Sequence, residues 1–164
     1  MSLKTVSGLA LMAAAFVTVT SAYAQEATVA PTPAPAPSGE DWHVVSRSSA
    51  TVFMLNVNDI QTSGGVTSVK LARVPASGDT TDLTHSIGQV DFRCSANQSR
   101  PGEEVLYGAD GSVEDRINDG YDFDRIPPNS LDSYAKALAC DGERSSQTFT
   151  SVRAFIEAGR PGSN

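Results

Sequence analysis

Ile87-Gly88-Gln89-Val90-Asp91-Phe92-Arg93-Cys94 is the stretch on which the fold turns. Val90, Phe92 and Cys94 alternate with Asp91 and Arg93, the period of a strand with one face on a core. Ile87 shares the parity of Asp91, so a bulge at Gly88 is expected to reset the phase. A cysteine in step with a valine and a phenylalanine points inward. The only other cysteine in the chain is Cys140.

Cys140 closes a helical pattern. Pro127-Pro128-Asn129-Ser130 ends the strand-rich part, Ser130 is a good N-cap, and Asp132 lies in the first turn where the helix dipole favours a negative charge. Leu131, Tyr134, Ala135 and Leu138 recur at helical spacing, which predicts a helix over about 131–139 with one apolar stripe. Gly142 follows, a common stop. A Cys94–Cys140 bridge would clasp this helix to the strand. The loop spans about 46 residues, worth roughly 4 kcal/mol by chain entropy. On an ideal helix Cys140 lies nearly opposite Leu131, so the helix is expected to end near Ala139 and the backbone to turn the sulfur inward. The competing readings are a redox pair, which usually sits two residues apart, and a zinc site, which needs more ligands than His43 and His85 are spaced to supply.

Upstream, Trp42-His43-Val44-Val45 is strand-prone, and Thr51 to Val57 (TVFMLNV) is a strand whose odd positions share a face. Asn58-Asp59 breaks it. After the Ser63-Gly64-Gly65 turn, Thr67, Val69 and Leu71 alternate with Ser68, Lys70 and Ala72 as in a half-buried strand. Downstream, Asn97 to Gly102 reads as a loop. Val105-Leu106-Tyr107 and Val113 flank Gly108-Ala109-Asp110-Gly111 as a hairpin, and Asn118-Asp119-Gly120 turns the chain again. A second short helix is expected over Val152 to Ala158, with Val152, Phe155 and Ile156 on one side. The order predicts an α+β domain: an antiparallel sheet of about six short strands with a helix packed on it.

The chain opens with Lys4, the apolar run Leu9 to Val17, and Ala22-Tyr23-Ala24. These are the parts of a secretory signal over 1–24, cut between Ala24 and Gln25. The run is too short to cross a bilayer, which takes about 20 residues. No cysteine follows it to carry a lipid. A periplasmic or secreted protein is expected, in a space where two thiols join. Residues 25–40 are a linker: ATVAPTPAPAPSG at 27–39 favours extended polyproline conformation and reaches roughly 40 Å. The folded domain is expected over 41–142, with 143–164 as an extension.

The formal net charge is −7, and −8 once Lys4 leaves with the signal. Such a protein repels phosphate backbones and anionic lipid, so no nucleic-acid partner and no membrane insertion after signal removal are expected. Asp110, Glu114, Asp115, Asp119, Asp122 and Asp124 crowd fifteen positions. They lack the ordered spacing and closing glutamate of a calcium loop, and read as a solvated hairpin edge. Tyr107, Tyr121 and Phe123 read as sheet packing. His43 and His85 read as surface or cap residues. Asn97-Gln98-Ser99 fits a glycosylation acceptor, relevant only in a eukaryotic secretory route. No serine sits in a nucleophile-elbow motif, so no enzyme, no cofactor and no metal are expected.

Four pieces together resemble the bacterial surface-adhesin protein E-like domain family: Trp42 at the domain start; Asn58-Asp59-Ile60; Val90-Asp91-Phe92-Arg93-Cys94; and Phe123-Asp124-Arg125-Ile126-Pro127-Pro128-Asn129-Ser130 through Ala139-Cys140. The resemblance covers about Trp42 to Cys140. It implies a sheet with a helix held by a Cys94–Cys140 disulfide, and a protein-binding role compatible with a homodimer. The best-known member is a surface lipoprotein that binds host matrix and serum proteins. This chain differs in lacking the lipid-bearing cysteine and in carrying a proline-rich spacer and a tail from Asp141. No ligand-binding residue carries over. The expected function is a non-enzymatic protein-binding or envelope-structural module; the alternative is a small calcium- or ligand-binding periplasmic domain.

Overall fold

A computed structural model describes residues 39–162. The expected signal segment over 1–24, its expected cleavage site at Ala24 and Gln25, and the expected linker up to residue 38 lie outside the described residues. The elements run β1 (Trp42–Arg47), β2 (Thr51–Asn56), β3 (Gln61–Ser63), β4 (Val66–Pro75), β5 (His85–Arg93), β6 (Gln98–Tyr107), β7 (Val113–Ile117), β8 (Asp124–Arg125), α1 (Leu131–Cys140), β9 (Thr148–Phe149) and α2 (Val152–Glu157). All strand pairings are antiparallel, in the order β7-β6-β5-β4-β2-β1-β9, with β3 on β4 and β8 on β6. The architecture is mostly antiparallel sheet with two short helices.

Nine strands form where about six were expected, and the extra ones are short. β3 and β9 have three and two residues, too few to show a period. Val57–Asp59 makes a single 3₁₀ turn, capped by the Asn56 side chain, between β2 and β3. The largest correction is at Asn97 to Gly102, where β6 begins at Gln98 instead of a loop. Proline is tolerated there for a local reason. β8 pairs with Gln98 and Ser99, β7 pairs with Glu104 onward, and Pro101 falls in the gap where β6 has no neighbour on that side.

Both faces of the sheet carry a core. On one, Leu55, Val69, Leu71, Val90 and Phe92 pack beneath Ile126 and the Ala135 and Leu138 of α1. On the other, Trp42, Val52, Met54, Ala72 and Val74 pack against Val152, Phe155 and Ile156 of α2. β4 therefore changes sides midway: Val69 and Leu71 serve the α1 core, Ala72 and Val74 the α2 core. The same double burial explains Ile87. No phase reset occurs at Gly88, because Ile87 packs on the α2 core while Val90 and Phe92 face the other. The extra residue lies across the ladder, on β6, where Gly88 pairs with Glu104 but Val90 with Pro101. Residues 143–162, expected as an extension with a short helix, supply α2 and hence part of this core.

α1 begins where expected. Ser130 Oγ accepts the Ser133 amide, and the helix continues through Cys140 instead of ending near Ala139. Tyr134 is exposed and leaves the stripe. The Cys94–Cys140 disulfide is present, with Cα atoms 5.8 Å apart. Its phase problem is solved from the other side: Cys94 lies beyond the end of β5, in the 3₁₀ turn Cys94–Ala96, and meets the flank of α1 at the rim of the core. Arg144 Nη1 donates to the Leu138 carbonyl and the Glu143 amide to Ala137, which satisfies the helix end. Ser99 Oγ donates to Asp132 and the Asn97 side chain to the Ile126 carbonyl, so both polar ends of the Asn97-Gln98-Ser99 triplet are engaged in packing.

Candidate functional site

The large apolar side chains left exposed among the described residues are not scattered. Val113 (48%), Ile117 (40%) and Tyr121 (51%) fall within nine residues; Tyr134 (47%) is the fourth. Isolated exposed apolar residues are ordinary, whereas neighbouring ones at an open edge offer an interaction surface. Val113 and Ile117 lie on opposite faces of β7, the end of the strand order, whose outer side has no partner among the described residues, and Tyr121 follows it.

Local chemistry sets this edge out from the sheet. Asp110 Oδ1 accepts the Ser112 hydroxyl (2.7 Å) and amide (2.8 Å), bonds that hold its carboxyl below the usual range and fix the turn. Gly111 adopts φ +80° with Leu83 and Arg153 so near that an added Cβ would sit 3.0–3.1 Å from them. Beyond the turn Asp115 pairs across from Leu106, Ile117 from Glu104 and Arg116 from Val105, so Asp115 and Ile117 share one face and Arg116 takes the other. Arg116 is ion-paired with Glu103. Glu104 accepts from Arg73 Nη1 (2.8 Å) and Ser86 Oγ (2.6 Å). The Asp115 carboxylate accepts only the neighbouring Arg116 amide among the described residues, at 2.8 Å.

The segment after β7 is tied down at Phe123. Its ring lies under the guanidinium groups of Arg93 and Arg100, at 4.0 and 4.5 Å. Arg100 is held by Asp91, which accepts two of its N–H groups on Oδ2 (2.9 and 3.0 Å), and the Ser68 hydroxyl and Gln89 amide on Oδ1. Burial pushes the Asp91 pKa up, but the hydrogen bonds from Ser68, Gln89 and Arg100 outweigh it and the pKa ends below the usual value. A cavity of about 320 Å³ lies between Gln89, Asp91, Arg100, Glu103 and Tyr121. Tyr121 donates its hydroxyl to Asp119, a bond that raises the phenol pKa. Tyr107 stacks on His85 at 4.4 Å, so the three aromatics do different jobs: one packs, one is clamped by arginines and one faces solvent.

The histidines, expected as surface or cap residues, each bond a backbone group, and neither is a fully exposed surface residue. His43 is buried. Its Nδ1 accepts the Ser145 amide (3.0 Å), which joins β1 to the segment before β9, and its Nε2 lies 3.2 Å from Asp41 just before β1, so both nitrogens are occupied. His85 is half-buried and donates from Nδ1 to the Leu83 carbonyl. Burial pushes its pKa down and keeps the ring neutral near pH 7, although the Leu83 bond opposes this. Among the described residues neither ring contacts a hydroxyl or thiol nucleophile.

The acidic run is a solvated edge: every residue of β7 is exposed. Among the described residues no group of three or more His, Cys, Asp or Glu side chains is placed to hold a metal ion. Nor is any helix among them long and apolar enough to cross a membrane. Cys94 and Cys140, the two site residues within the described part, form the disulfide. The solvated hairpin edge was expected; its exposed apolar residues were not. Their signal was available: Val113 and Ile117 are the only large apolar residues between Gly108 and Asn118. The chain matches no family model, no curated protein and no solved structure.

Proposed function

We propose that this chain is an exported, non-enzymatic protein-binding module of the surface-adhesin protein E-like type, and that it binds through the open edge from Val113 to Tyr121. The observation that carries the reading is that exposed Val113 and Ile117 lie on β7, a five-residue edge strand without an outer partner among the described residues, with exposed Tyr121 just beyond it. An unpaired strand offers main-chain donors and acceptors to an extended segment, and alternate side chains supply selectivity. Natural sheets usually blunt such an edge with short length or charge. Here charge is present, but apolar residues remain beside it. Export is supported by the disulfide, which persists in oxidising compartments, and by the residue pattern of 1–24.

The experiment places a photo-crosslinking residue at Ile117 in the full chain and, as a control, at Tyr134. Envelope protein crosslinked from position 117 and not from 134 is the expected result. Equal labelling from both positions, or none from 117, removes the edge from the reading.

A further inference from the structure

We infer that β7 accepts an extended segment as an added strand, and that this segment carries a lysine or arginine two residues away from an apolar side chain. The inference rests on the edge-binding reading above and adds the chemistry of the occupant.

Side chains directly opposite on paired strands share a face, and opposite charges there stabilise the pair while like charges oppose it. Asp115 and Ile117 share a face, two residues apart. A strand laid against β7 thus sets one residue beside Asp115 and, two positions on, another beside Ile117. Of the charges around them, all but Glu114 are already committed. Arg116, on the other face, is paired with Glu103, and Glu104, beside Ile117, is held by Arg73 and Ser86. Asp115 has no cation within ion-pair distance among the described residues. It is the carboxylate that an incoming strand would meet, and Ile117 is the exposed apolar surface it would cover. Asp110, Asp119, Asp122 and Asp124 add a field that favours a basic segment before contact.

The same geometry argues against a second copy as occupant. Two antiparallel β7 strands related by a two-fold axis pair residues whose numbers have a constant even sum. Centred on residue 115, this sets Asp115 against Asp115; on 116, Arg116 against Arg116; on 117, Asp115 against Asp119. Each of these registers contains a like-charge pair, although centring on 115 also sets Glu114 opposite Arg116, so charge does not select a second copy as it selects a basic strand.

The test uses the full chain and two short Thr/Val-rich peptides that differ at one position: lysine or glutamate, two residues from an isoleucine. Amide hydrogen exchange locates binding and a titration at low salt measures it. The lysine peptide is expected to protect amides of residues 113–117 and to bind about fivefold to tenfold tighter than the glutamate peptide. D115K is expected to reverse that preference, and Asp115→Asn to abolish it. Both lie at an exposed position, and an unchanged melting curve confirms the fold. Equal protection of 113–117 by both peptides, unaltered in D115K, overturns the charge rule and leaves the edge reading standing. Absence of protection at millimolar peptide overturns strand addition, and crosslinking from Ile117 then decides separately whether the edge binds at all. Concentration-dependent protection of 113–117 without peptide would identify a second copy and overturn the proposed occupant.

Discussion

The two edges of this sheet are treated in opposite ways. At one, β1 is closed by the end of the chain. β9 pairs with Trp42 and His43, Arg47 Nη2 donates to the Pro161 carbonyl, and α2 seals the core below. Arg160, buried with φ +53°, reaches across to the carbonyls of Gly78, Asp79 and Asp82. At the other edge β7 has no outer partner among the described residues, and what restrains it lies on its inner side and at its ends: the Asp110–Ser112 turn, the Arg116–Glu103 ion pair and the Phe123 clamp. About twenty residues go to closing the first edge, and the second is left open with apolar side chains on it. The difference teaches that exposure at β7 is not a shortage of chain. Stability is invested at one edge and availability is kept at the other.

Four measurements test that division, from the largest effect to the smallest. Phe155→Ala removes a wholly buried ring that packs edge-on against Phe149, 5.0 Å between centroids. It should cost about 3–5 kcal/mol in urea unfolding; a loss under about 1 kcal/mol would mean that the closed edge contributes little. Arg160→Met leaves three carbonyls without their donor and should cost about 2 kcal/mol by the same measurement, the size expected when buried polar groups lose a partner. The clamp at the open edge should respond to acid. Asp91 is held below its ordinary pKa of 3.8 in the folded state, so its contribution is present above that value and is lost as pH falls through the folded value. The urea midpoint should therefore drop more between pH 5 and pH 2 in the wild-type chain than in Asp91→Asn; equal drops would remove Asp91 from the clamp. Ile117→Ser should change stability by no more than about 0.5 kcal/mol, while abolishing peptide protection at the edge. A larger stability loss would place Ile117 in the fold instead of the interface.

Much of the fold could be read from the residues. Ser130 with Leu131, Ala135 and Leu138 announced α1, and Val152, Phe155 and Ile156 announced α2, because caps and helical spacing are local signals. The Gly108–Gly111 hairpin was equally local. What escaped depended on partners distant in sequence. Ile87 looked out of phase because parity arguments assume one buried face, and this sheet has two. Pro101 and Gly102 looked like a loop because nothing local reveals that β6 lacks a neighbour at that point. His43 looked superficial because its partner Ser145 lies 102 residues away. The disulfide was legible as a pair, but the position of Cys94 past the end of β5, which lets Cys140 bond without leaving the helix, was not. The β7 edge was legible as charged and solvated. Its apolar content went unweighed, since two residues among acids carry no periodicity.

The pairing of β1 with β9 sets an order of events. Trp42 lies opposite Phe149, and Arg47 bonds to a carbonyl 114 residues on. Contacts this distant slow the search for the native state, since the ends must meet before either gains from the meeting. A chain emerging N-terminus first presents β1 about a hundred residues before the segment that closes it. Residues 143–162 thus complete the domain: a chain cut before β9 keeps both sheet edges open and lacks part of one core, which exposes it to aggregation.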